Sequence, residues 1–118
     1  MDLIGGRKRV PGVRVVAGSI IPFNTATPEQ NRRMHAINDW IRREAETDAN
    51  VDYVDTRGAV SAPGHTDTLV SSPDELHPSV EGYRRMADAI GPVLEAVLAR
   101  CRPATLYPVG TRLPPTED

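Results

Sequence analysis

Asp74-Glu75-Leu76-His77-Pro78-Ser79 sets a carboxylate three residues before a histidine, at the edge of a helix-forming run. Imidazole is the side chain that gains and loses a proton near neutral pH. A carboxylate that accepts from one ring nitrogen fixes the tautomer and leaves the other nitrogen free as a base. Pro78 pushes His77 into extended backbone, so the ring is presented from a loop. Asp74 is the first candidate for the orienting carboxylate and Glu75 the second. An Asp or Ser ahead of a helix also serves as a simple cap, so the surrounding chain must decide between the two roles.

A second grouping adds His65 and Asp67 to Asp74 and His77. Two imidazoles and two carboxylates suit zinc or manganese. These residues fall in a loop region, and the sequence names no partner to orient them. A metal site would need His65, whereas an acid–base pair would need only Asp74 and His77. On this reading the chain holds no resident metal and no cofactor.

Other reactive residues have plainer readings. His35 lies among polar helix positions and reads as a surface residue. Ser19 follows Gly18 in a β-prone run and reads as strand packing. Ser71 and Ser72 lie near Asp74 but have no visible oxyanion donors, and Ser79 reads as a cap. Cys101 is the single cysteine, so it forms no internal disulfide. Arg7-Lys8-Arg9 reads as a solvated turn.

The chain has 118 residues, room for one small core. A formal net charge of −2 gives no global attraction to nucleic acid or anionic lipid. No apolar run reaches the length of a membrane span. Met1 to Gly12 lacks the apolar core of a signal peptide. As written, the chain is expected in the cytoplasm, and an upstream segment would allow secretion.

The elements that position the pair follow in order. Residues 1–12 form an irregular lead-in. Val13 to Ile21 is a short β-branched run that suits a strand buried on both faces of a parallel sheet. Thr27, Pro28 and Gln30 mark a capping box that opens a helix to about Ala45. Met34, Ile37, Ile41 and Ala45 would line its buried face, with Trp40 at the edge. Glu29–Arg33 and Asp39–Arg43 would pair on the wet side. Val51 to Asp55 is a second strand, parallel to the first, with Asp55 at the edge where such sheets bind ligands. Thr56 to Pro73 reads as one long loop. A helix then runs to about Arg100, buries Tyr83, Met86, Ala87, Ile90, Leu94, Val97 and Leu98, and bends near Pro92. Residues 101–118 form a proline-rich, disordered tail.

The string from Asp74 to Ile90 closely resembles the final block of the SGNH (GDSL) hydrolases, in which Asp-x-x-His-Pro precedes a helix beginning near Gly-Tyr. Val15 to Phe23, Thr27 to Ala45 and Val51 to Asp55 resemble the late strand, helix and last strand of the same family. The resemblance spans about Val13 to Leu98. It implies an α/β fold: the C-terminal part of a flavodoxin-like three-layer α/β/α domain over residues 13–100. It also implies ester hydrolysis, with His77 as general base and then acid and Asp74 as its orienter. The partner would be a small-molecule, carbohydrate or lipid ester. The family's Gly-Asp-Ser block and its oxyanion-donating glycine and asparagine blocks are absent. The chain therefore reads as a partial domain that needs an N-terminal half and self-associates without it. The alternative is a non-catalytic remnant or binding module.

Overall fold

The capping box forms as its residues dictate. Thr27 Oγ1 accepts from Gln30 N at 3.1 Å, and Gln30 Oε1 accepts from Thr27 N at 2.9 Å. Pro28 occupies the first turn, where its missing N–H costs nothing. The helix that follows is α1, Pro28–Thr47. The computed structural model describes residues 12–101. The expected lead-in, the Arg7-Lys8-Arg9 turn and the tail beyond Cys101 lie outside the described residues.

Strand β1, Val15–Gly18, precedes α1, and β2, Val51–Val54, follows it. The two pair in parallel, Val15 against Val51 through Gly18 against Val54. This is the expected strand–helix–strand unit. The first strand is shorter than the Val13 to Ile21 run. Val15, Val16 and Ala17 are half-buried and Gly18 is exposed, so β1 is not covered on both faces.

The segment from Thr56 to Pro73 is not one loop. Asp55 Oδ1 accepts from Gly58 N at 2.9 Å and starts a short helix, α2, Thr56–Val60. Two strands follow, β3 (Ser61–Ala62) and β4 (His65–Leu69), antiparallel with an irregular register. Pro63 and Gly64 turn the chain between them, and Gly64 takes a φ of +75° that favours glycine. Asp55 therefore serves α2 as a cap, and it also accepts from Ser19 Oγ at 3.2 Å.

The core is thin. Val51, Val54, Val60, Leu69 and Val97 are buried there, and Pro22 and Pro78 are buried as well. Each aliphatic side chain contributes about 1.5–3 kcal/mol by leaving water. The C-terminal helix α3, Val80–Cys101, packs against α2 and meets both parallel strands. It runs unbroken through Pro92 as one helical element. The stripe assigned to its buried face is largely exposed: Tyr83 is 52% exposed, Leu94 43% and Leu98 59%, and only Val97 is buried. On α1, Ile37 and Trp40 are exposed as well, while Asn38 is buried. Asn38 Oδ1 accepts from Ile20 N at 2.7 Å, and its Nδ2 donates to Ile20 O at 3.1 Å. A buried amide thus does what the periodicity assigned to aliphatic residues. Glu29 pairs with Arg33 at 3.1 Å as expected. Arg43 instead donates to the backbone carbonyl of Asp39.

Arg57 is another buried polar anchor, 2% exposed. Its guanidinium donates to Thr66 O at 2.7 Å, Ile20 O at 3.2 Å, Asn31 Oδ1 at 3.1 Å and Asp67 Oδ1 at 2.9 Å. It thereby joins α1, the segment after β1 and the hairpin. Hydrogen bonds to a charged donor stabilise by about 1.5–3 kcal/mol, and orphaned buried acceptors cost a similar amount. Arg57→Met should therefore lower stability by about 2–4 kcal/mol. Urea denaturation would measure this as a fall in midpoint, and a change within about 0.5 kcal/mol would contradict the anchor role.

Candidate active site

The segment between the hairpin and α3 curls back on itself. His77 Nδ1 and Asp74 Oδ2 lie 2.6 Å apart. Asp74 Oδ1 accepts from His77 N at 2.8 Å and Leu76 N at 3.0 Å. These bonds form because Glu75 adopts a φ of +62°, which turns the backbone so that a carboxylate reaches a ring three residues on. Glu75, the second candidate orienter, contributes this bend, while the ring's carboxylate partner is Asp74.

The helix start fixes the other end. Ser79 Oγ accepts from Gly82 N at 3.1 Å, the cap expected from its position. A Cβ on Gly82 would lie 2.9 Å from Pro78 Cβ, so glycine is what allows the buried Pro78 to close on the first turn. Ser72 Oγ donates to His77 O at 2.7 Å.

The His77 and Asp74 side chains are 62% and 50% exposed. The backbone bond from His77, its ring and the Leu76 N–H together hold the Asp74 carboxyl well below the usual carboxylate range. Asp74 is therefore ionised at any pH where His77 could act as a base. A depressed carboxylate stabilises the curl above its unfolded value of about 3.9. That contribution fades as pH falls through the lower folded value. With Nδ1 turned to Asp74, Nε2 forms no hydrogen bond among the described residues. It is the atom left to take a proton.

Ser19 is closed off by its own bonds. It is buried, donates to Asp55 Oδ1 and accepts from Arg57 N at 2.8 Å. Thr56 Oγ1 donates to its carbonyl at 2.5 Å. This agrees with a structural rather than nucleophilic serine. Ser61 is likewise buried, with Oγ donating to Arg57 O at 2.5 Å.

The second grouping does not come together. Asp67 Oδ1 lies 2.6 Å from His35 Nε2 and accepts from Arg57, away from any metal-like cluster. The His35 bond does most to hold its carboxyl below the usual value, with Arg57 adding to it. No set of three His, Cys, Asp or Glu residues arranged to hold a metal occurs among the described residues. His35, read as a plain surface residue, thus ties α1 to β4. Sequence reasoning also missed Arg57 and Asn24. Asn24 N donates to Glu75 O at 2.7 Å, and Asn24 Oδ1 accepts from Leu69 N at 2.8 Å. A lone asparagine after Pro22-Phe23 carries no local signal of such long-range bonds.

Comparison with family models matches residues 5–85 to the GDSL-like Lipase/Acylhydrolase family. No curated protein and no solved structure matches the chain. No helix among the described residues is long and apolar enough to cross a membrane.

Proposed function

The chain belongs to the GDSL-like lipase/acylhydrolase family, and from that premise we propose that it supplies the acid–base half of an acyl-ester hydrolase. His77 Nε2 takes the proton of a serine hydroxyl as that oxygen attacks the ester carbonyl. It then returns the proton to the departing alcohol. A second cycle, with water as nucleophile, releases the acid. Asp74 holds Nδ1–H and stabilises the imidazolium formed in each step.

The observation that carries this reading is the 2.6 Å contact between Asp74 Oδ2 and His77 Nδ1, with Nε2 open. The serine comes from outside these residues, on a segment or chain bearing the family's Gly-Asp-Ser block. Two features support an outside nucleophile. The Gly-Asp-Ser string is absent from the sequence, and Ser19 and Ser61 are locked by bonds of their own. Leu76, Val80 and Tyr83 flank the dyad in sequence and are 53%, 81% and 52% exposed. That apolar surface suits a covering half or, without one, self-association. It also suits the acyl or alkyl part of a small ester.

A fluorophosphonate tests this directly, because it phosphonylates only activated serines. The 118-residue chain alone should stay unlabelled at Ser19, Ser61, Ser71, Ser72 and Ser79. Labelling at any of them, with ester turnover, would place the nucleophile inside the chain and overturn the proposal.

A further inference from the structure

The dyad is exposed on both members, so packing does not hold it. Its geometry depends instead on the backbone of Glu75, a side-chain-bearing residue held at a φ of +62°. Such a conformation persists only where the surroundings over-determine it. Within the curl, Asp74 Oδ1 accepts from Leu76 N and His77 N and Ser72 Oγ donates to His77 O, and the one bond to Glu75's own carbonyl comes from a distant turn. Asn24 N donates to Glu75 O at 2.7 Å. Asn24 is itself held because its Oδ1 accepts from Leu69 N, at the end of β4, at 2.8 Å. The turn closes through Ala26 N donating to Phe23 O at 3.1 Å. Asn24 thus links the exit of β1, the hairpin and the Asp74–His77 curl.

We propose that Asn24 is a positioning residue for the acid–base pair, acting through the left-handed Glu75 as a clamp. It touches neither His77 nor Asp74. By fixing the Glu75 carbonyl it fixes the bend that brings the carboxylate to the ring. The proposal rests on the acid–base reading of Asp74 and His77. Its test reads the ring itself and not turnover.

The readout is the tautomer of neutral His77, seen in the ¹⁵N shifts of its ring nitrogens and assigned with His77→Gln. In the unsubstituted chain the Asp74 carboxylate should hold the proton on Nδ1. Asn24→Ala deletes the acceptor for Leu69 N and should release the ring toward the free-imidazole mixture, where Nε2–H predominates. Asn24→Asp keeps an acceptor oxygen and should restore the Nδ1–H form. Glu75→Gly should keep it too, since glycine adopts positive φ freely. Glu75→Ile, β-branched and averse to that region, should lose it at an exposed position. That variant decides the matter even if Asn24→Ala fails to fold. An Nδ1–H tautomer kept in Glu75→Ile, or in folded Asn24→Ala, would overturn the clamp while leaving the dyad intact. A free-imidazole mixture in the unsubstituted chain would overturn the dyad and the clamp together.

Discussion

Replacing His77 by alanine should lower kcat for an acyl ester by roughly 10⁴–10⁶-fold in the hydrolase assembled as proposed, with little change in KM. In the proposed mechanism the imidazole moves a proton in both half-reactions, so no step would proceed at its normal rate without it. The proposed mechanism gives His77 a proton-transfer role and no part in holding the substrate, which is why KM should hold. The dyad geometry is the basis for this size of effect: Nδ1 is engaged by Asp74 at 2.6 Å and Nε2 is open. Steady-state kinetics on a chromogenic ester would measure it. Turnover within about tenfold of the unsubstituted enzyme would remove His77 from the mechanism.

Asp74→Asn should lower kcat by roughly 10³–10⁴-fold. The amide loses the negative charge that stabilises the imidazolium. It can also present N–H to Nδ1, which forces the proton onto Nε2, the wrong tautomer for a base. The loss should be smaller than that for His77→Ala, since a ring able to shuttle protons remains. The pH profile separates the roles further. The Asp74 carboxyl is held below the usual range by the His77 backbone bond, the ring and Leu76 N–H. Protonation of Asp74 therefore lies too far to the acid side to set the acidic limb of kcat/KM. Asp74 should add no ionisation of its own to that limb. A limb that needs two protons near the ordinary carboxylate range would contradict this.

The part of the fold written in local chemistry was legible. Thr27, Pro28 and Gln30 announce α1 because a capping box is made within four residues. The parallel pairing of β1 and β2 follows from two β-branched runs joined by a helix. What was missed depends on polar groups buried by distant partners. Thr56 to Pro73 reads as loop because it is rich in Ser, Thr, Gly and Pro. It forms a helix and a hairpin because Arg57 finds acceptors on α1, after β1 and in the hairpin. Asn38, likewise, is buried because the backbone of Ile20 meets both ends of its amide. The aliphatic stripe of α3 was read as core, yet Leu94 and Leu98 are exposed. Periodicity shows that a helix has an apolar face, not what covers it.

The candidate site divides in the same way. The spacing of Asp74, His77 and Pro78 suggests that carboxylate and ring can meet, and the resemblance of the longer string to the family's final block favours that reading over a plain cap. The bend that realises the pairing could not be read, because Glu75 is an unusual residue at positive φ. Its support comes from Asn24, across a long stretch of chain.

Asp74 and His77 are proposed to serve a serine that lies outside the 118 residues. The measurement that tests this is the site of the fluorophosphonate adduct, located by peptide mass spectrometry, in the hydrolase assembled as proposed. The adduct should lie on a serine following Gly-Asp outside the 118 residues, and His77→Ala should abolish its formation. An adduct on any serine of this chain, or labelling of the Gly-Asp-Ser serine undiminished in His77→Ala, would contradict the claim.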